Sequence, residues 1–330
     1  MSKKGPIFIV GAGRSGTTLL RLMLHNHSQI AIPPESQILM EFYKIIPLFN
    51  DLKDPENCEK FINLFLTHPR IKAWGLHKSD ILNLKEKIGF RDIISTIYQS
   101  FANKEAKSRW GEKTPKYIHQ VGQLIKIFPN CKIIHLIRDG RDVIASQLKS
   151  FHRYHFYTSA LNWNKIMTIN EKLQSDPDHF MNVHYENLIQ NPKDTLKNIC
   201  QFINESFEEK MLDFHSSSAA SKTTEDEKHH HHVTQPISAS YIGKYKNDLA
   251  THQTKLIESV CHHYLVKNKY FIENPELIHI PFYHKWYYQA CSLIKMTVHY
   301  SQLCLKRLMN KEILYTIKFN IYKLRAYFIV

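Results

Sequence analysis

Three glycines crowd into six positions of a chain that has only 10 in 330 residues. The segment Gly11-Ala-Gly-Arg-Ser-Gly-Thr-Thr18 has the G-x4-G spacing of a phosphate-binding loop. Glycine reaches backbone conformations closed to other residues. The N–H groups of Gly13, Arg14, Ser15, Gly16, Thr17 and Thr18 are therefore expected to converge on phosphate oxygens at a helix N-terminus. A Walker A loop carries lysine after its last glycine, but position 17 is threonine and the loop's cation is Arg14. That suits a diester-like anhydride better than a magnesium-bound triphosphate.

A second anion site is written in His135-Leu-Ile-Arg-Asp-Gly-Arg-Asp-Val-Ile-Ala-Ser146, where Arg138 directly follows an apolar run and Ser146 comes eight residues later. A nucleoside triphosphatase would place a magnesium-holding aspartate at that strand end. Arg138, Asp139, Arg141 and Asp142 also admit a plainer reading, a cluster of mutually paired charges. Glu35, just past Pro33-Pro34, is a carboxylate able to accept a hydroxyl proton.

The elements that must hold these residues are legible from periodicity. Residues 7–10 are a continuous apolar run between Pro6 and Gly11, as in a buried parallel strand. Leu19, Leu20, Met23 and Leu24 give residues 17–27 the stripe of a core-facing helix. Residues 30–32 read as a strand stopped by the paired prolines, 132–137 and 180–185 as two more, and 38–108 as mostly helical. Strands alternating with helices predict an α/β chain, a P-loop type three-layer fold with a central parallel sheet flanked by helices and a helical C-terminal extension.

Lysine and arginine number 44 against 30 acidic residues, a net charge of +14 that favours an anionic partner. With 43% hydrophobic residues and no apolar run of about 18, the composition excludes a polytopic membrane protein and wholesale disorder. Cys58, Cys131, Cys200, Cys261, Cys291 and Cys304 are scattered, which indicates neither a zinc site nor a disulfide framework. Free thiols and the lack of a signal-peptide core lead to an expected cytoplasmic location. Residues 215–236, polar and low in complexity, are expected to form a mobile surface loop, with His229 to His232 solvated rather than metal-bound.

Four segments together resemble the PAPS-dependent sulfotransferase superfamily. Gly11 to Arg21 (GAGRSGTTLLR) resembles its 5′-phosphosulfate loop and Arg138 to Ser146 (RDGRDVIAS) its 3′-phosphate motif. Tyr185-Glu-Asn-Leu188 is similar to its YEDL segment. Ser238-Ala-Ser-Tyr-Ile-Gly-Lys-Tyr-Lys246 is similar to the late serine/lysine segment that closes over the nucleotide. The resemblance covers about residues 5 to 250 and is closest to the branch that uses a glutamate base, the tyrosylprotein, heparan-type and bacterial enzymes.

It implies 3′-phosphoadenylyl sulfate (PAPS) as co-substrate with no metal required, and sulfuryl transfer to a hydroxyl or amine. The acceptor class stays open among carbohydrate, lipid, metabolite and protein tyrosine. Glu35 would be the base, with Lys113 of Trp110-Gly-Glu-Lys-Thr-Pro-Lys116 and Arg14 as cations near the leaving group. Gly13 to Thr18, Arg138, Ser146, Tyr185, Ser238, Ser240 and Lys244 would bind the nucleotide. His119 is the alternative base, and Glu112, a candidate orienting partner, is left unassigned. The competing readings are a divergent P-loop nucleotide kinase and a non-catalytic module that binds membrane or polyanion.

The domain is expected to span residues 1–275, followed by a basic, aromatic extension over 276–330. From Pro281 onward eight basic residues face Glu312 alone. Such a tail either packs on the domain with its lysines outward or contacts anionic lipid at the inner membrane face. No nucleic-acid module is recognisable.

Overall fold

The apolar run after Pro6 becomes β1 (Ile7–Gly11), and every one of its residues is buried. Phe8 and Val10 enter one core cluster, Ile7 and Ile9 the other, so the strand needs apolar residues at successive positions instead of alternate ones. The computed structural model describes residues 4–81, 89–151, 153–226 and 234–309. Around β1 lie β2 (Ile30–Ala31), β3 (Arg109–Lys113), β4 (Lys132–Ile137) and β5 (Phe180–His184) in a parallel sheet of order β2-β3-β1-β4-β5. Helices cover both faces, giving the expected three layers.

The chain leaves β1 toward one edge, returns through β3, then crosses β1 to reach β4 on the other side. Crevices outside the C-terminal strand ends at such a crossing are where open α/β sheets bind ligands. The register sets Ile9 beside both Lys113 and Ile134, and Gly11 beside Leu136. Helix α1 (Thr17–His25) follows the glycine loop directly. The 38–108 region is mainly helical, as expected. Helix Pro55–Leu66 is capped by the Asp54 side chain, which accepts from the Glu56 and Asn57 amides at 3.0 Å, and helix Phe90–Lys104 packs against β3.

Two elements depart from the sequence expectation. β3 is a central strand that periodicity does not announce, because Arg109, Glu112 and Lys113 are buried polar residues. Within 215–236, expected to be a mobile loop, the structure instead has a 3-10 segment ending at Ser216 and a helix over Ser218–Asp226. Ser217 Oγ accepts from the Ala220 amide at 3.2 Å, Ala220 is in the core, and the buried Arg21 guanidinium donates to Thr223 Oγ1 at 2.5 Å. A polar sequence is thus held by a cap, a buried alanine and one buried cation. His229 to His232 lie outside the described residues.

The extension is helical over Phe282–Met309 and lies on helix Phe156–Leu173. No helix among the described residues is long and apolar enough to cross a membrane.

Phe8, fully buried, has its ring centroid 6.0 Å from that of Trp110 and 5.5 Å from that of Phe128. Phe8→Ala is expected to cost about 3–5 kcal/mol of unfolding free energy in urea denaturation. An unchanged midpoint would contradict its place in the core.

Candidate active site

Between β1 and α1 the chain turns through two left-handed residues, Arg14 (φ 78°) and Gly16 (φ 94°). A Cβ at Gly16 would stand 2.4 Å from Tyr185 Cδ2, so only glycine lets that ring lie against the loop. Ser15 is fully buried and braces the turn itself, its hydroxyl donating to the Ala12 carbonyl at 2.7 Å. Gln147 Nε2 donates to the Gly13 carbonyl at 3.0 Å, and Arg14 Nε to Ser146 Oγ at 3.1 Å. Gly16 stands at the N-cap of α1 and supplies no side-chain cap, and a helix N-terminus behind a glycine turn is a site that favours anions.

Arg138 leaves the end of β4 with its guanidinium carbon 4.5 Å from the centre of the Tyr185 ring. It donates to the carbonyls of Arg14 (3.2 Å) and Tyr241 (2.6 Å) and lies 3.5 Å from Asp142. Its Nε is buried without a hydrogen-bond partner, an arrangement that an incoming anion would relieve. Asp142 accepts from the amides of Gly243 (2.8 Å) and Tyr245 (2.9 Å) and so fastens the late serine/lysine segment over the site. Burial pushes the Asp142 pKa up, while Arg138 and the two amides act against it.

The four-charge cluster therefore divides in two. Asp139 caps helix Gly140–Ser150 and pairs with Arg141, which also binds the buried Glu258. Those three are structural, whereas Arg138 and Asp142 line a cavity of about 470 Å³.

Arg14, Gly16, Thr17, Thr18, Arg138, Ser146, Tyr185, Ser238 and Lys244 all line that cavity. Gly13, Ser15 and Ser240 do not. A Cβ at Gly13 would meet nothing within 4 Å, and Ser240 is exposed with its hydroxyl 2.8 Å from that of Ser238. Lys149, Tyr241 and the stretch Gln235 to Ile237 also line it, though motif reasoning passed over them. Lys149 lies one helical turn beyond Ala145 on the face that carries Ser146, a spacing that could have flagged it.

Glu35 and Lys113 meet at the C-terminal ends of β2 and β3, outside the lining of the cavity. The Lys113 ammonium is paired with one Glu35 oxygen, and the Gln37 amide donates to the other. Lys113 is 2% exposed, so burial of this ammonium is tolerated only with its carboxylate partner. Glu112, fully buried behind the pair, accepts from Ser36 Oγ (2.8 Å), Tyr98 OH (2.5 Å) and Thr114 Oγ1 (2.7 Å). Ser36 and Thr114 are the residues next to Glu35 and Lys113, so Glu112 ties the two loops together. Burial raises its pKa against those hydrogen bonds. His119, the alternative base, is exposed in the 3-10 turn Pro115–Gln120. Among the described residues no cluster of three or more His, Cys, Asp or Glu is arranged to hold a metal.

A glycine turn after β1, a cation after the neighbouring β4 and a cavity between them place the site at the C-terminal strand ends of a parallel α/β fold. Family comparison names it further: the model described as "Sulfotransferase family" matches residues 6–209, and the chain belongs to that family. Protein-tyrosine sulfotransferase 1 of Danio rerio is 24% identical over 223 residues, covering 62% of this chain and 55% of that protein. The protein-tyrosine sulfotransferase of Drosophila melanogaster is 23% identical over 220 residues, covering 62% of this chain and 39% of that protein. The match thus spans about half or less of these curated relatives. The sulfotransferase domain from the curacin biosynthetic pathway superposes with a TM-score of 0.56 at 19% identity, over 81% of this chain and 98% of that one. The sulfotransferase domain of the Synechococcus PCC 7002 olefin synthase gives 0.52 at 20% identity, over 80% and 96%. Both share the fold.

Asp142→Ala removes the acceptor of two backbone amides. Hydrogen exchange at Gly243 and Tyr245 is expected to accelerate markedly while the core strands stay protected. Unchanged protection there would mean that something else holds the segment.

Proposed function

We propose that this protein moves the sulfuryl group of PAPS to a hydroxyl group, releasing adenosine 3′,5′-bisphosphate. The observation that carries the reading is the convergence of Arg14, Arg138 and Ser146 on one cavity beneath a loop without a Walker lysine. Loop amides and Arg14 would hold the 5′-phosphosulfate end, Arg138 and Ser146 the 3′-phosphate. Tyr185 offers its ring beside Arg138, and Ser238, Ser240 and Lys244 belong to the segment that Asp142 fastens. Support for PAPS comes from family membership and from the fit of cations and amides to a nucleotide with two separate anionic ends.

The chemistry assigned to the chain's own residues is simple. Glu35 accepts the proton of the acceptor hydroxyl as the acceptor oxygen bonds to sulfur. The bond from sulfur to the leaving phosphate oxygen breaks, and Lys113 and Arg14 offset the charge that gathers on that oxygen. Glu35 is paired with Lys113, and an acceptor hydroxyl would enter beside that pair. The named relatives act on protein tyrosine, which makes a tyrosine hydroxyl the first acceptor to test, ahead of carbohydrate, lipid and metabolite hydroxyls.

Thermal-shift titration checks the donor. Adenosine 3′,5′-bisphosphate without magnesium is expected to raise the melting temperature, with stabilisation of about 2.7 kcal/mol at one hundred times its Kd. ADP and ATP should shift it much less. A preference for ATP with magnesium would replace this reading by a kinase.

Glu35→Gln should lower kcat about 10²–10⁴-fold and leave the bisphosphate shift intact. Full turnover in that variant would remove Glu35 from the mechanism, with His119→Ala as the next variant to assay.

A further inference from the structure

We propose that helix Phe282–Met309 is a docking surface for an anionic lipid bilayer, lying in the plane of the interface. Two stripes on this helix face opposite ways. Tyr288, Ser292, Lys295 and His299, spaced four, three and four residues apart, point at the domain. Tyr288 sits with its ring centre 5.3 Å from those of His155, Phe156 and Tyr157. Ser292 Oγ is 3.0 Å from Thr158 Oγ1, Lys295 Nζ donates to the Tyr154 carbonyl at 3.4 Å, and Arg153 reaches His299 at 3.2 Å.

On the opposite side Tyr283, Trp286, Tyr287, Leu293, Ile294 and Val298 recur at helical spacing and are 52% to 67% exposed. The chain's other three tryptophans, Trp74, Trp110 and Trp163, are buried. An apolar stripe of this length on an exposed helix face marks an interaction site.

Charge selects the occupant. Besides the domain-facing Lys295, the helix carries Lys285, Lys306 and Arg307, with no aspartate or glutamate across its length. The sequence after it adds four more basic residues against Glu312, within a chain of net charge +14. A second copy of this helix would set one basic element against another with no carboxylate on either to pair it, whereas anionic headgroups complement it. Trp286, Tyr283 and Tyr287 join an apolar ring to a polar edge, the combination that settles at headgroup depth. This surface is independent of the nucleotide cavity and of the transfer reaction.

The full chain should co-float with phosphatidylcholine vesicles that contain phosphatidylglycerol, much less with phosphatidylcholine alone, and less again at high salt. Trp286 reports contact directly, since acrylamide quenching of the one exposed tryptophan should fall on vesicle binding. Leu293→Glu with Ile294→Glu keeps that reporter and changes only outward side chains. It should weaken vesicle binding about tenfold or more while the melting temperature and the bisphosphate shift stay as in the parent. Equal flotation of parent and variant, or none by the parent, overturns the proposal. So does a vesicle-independent dimer that the same substitutions dissolve, which would reassign the face to self-association.

Discussion

The site depends on one contact, the stacking of Arg138 on Tyr185 against a loop that only glycine can form at position 16. The parallel pairing of β1 with β4 puts Gly11 level with Leu136, so the loop after one strand and the cation after the other emerge side by side. Arg138 then donates to the Arg14 carbonyl and, through the Tyr241 carbonyl and Asp142, reaches the segment that covers the cavity. A side chain at Gly16 would push the Tyr185 ring away and with it the surface on which the guanidinium rests. Loop, strand end and covering segment are thus one connected unit.

A second constraint is the burial of charge around β3. Arg109 donates to the Gly5 carbonyl at 2.8 Å and pairs with Glu205 at 3.0 Å, Glu112 collects three hydroxyls, and Lys113 meets Glu35. Buried ions are tolerated when paired and hydrogen-bonded, and removing a single partner costs several kcal/mol. Such a strand contributes more to geometry than to stability. It brings a carboxylate and an ammonium together at the sheet's C-terminal edge, beside the strand that leads into the glycine loop.

Arg21 shows the same economy of buried cations at longer range. From α1 it donates to the Ile32 carbonyl, just before Pro33-Pro34-Glu35, and to Thr223 in the helix that the polar sequence did not announce. One guanidinium therefore couples the glycine-loop helix, the approach to Glu35 and the segment leading to the cavity cover.

Much of this molecule was legible in the sequence because its signals are local. An apolar run stopped by glycine, a helical stripe, paired prolines and an arginine at a strand end each lie within a dozen residues, and four of the five strands followed from them. The residues proposed to bind phosphate were singled out for the same reason, since backbone amides after a strand can serve a ligand whatever surrounds them. What only tertiary structure decided is where long-range burial overrides composition. β3 is a strand whose charged side chains find partners from distant parts of the chain, the helix over 218–226 meets the buried Arg21 and the core, and Asp142 lines the cavity while Asp139 pairs with Arg141, which Glu258 also holds. Periodicity records which residues leave water. It does not record which buried charge will meet which, and that depends on contacts among residues tens to hundreds of positions apart.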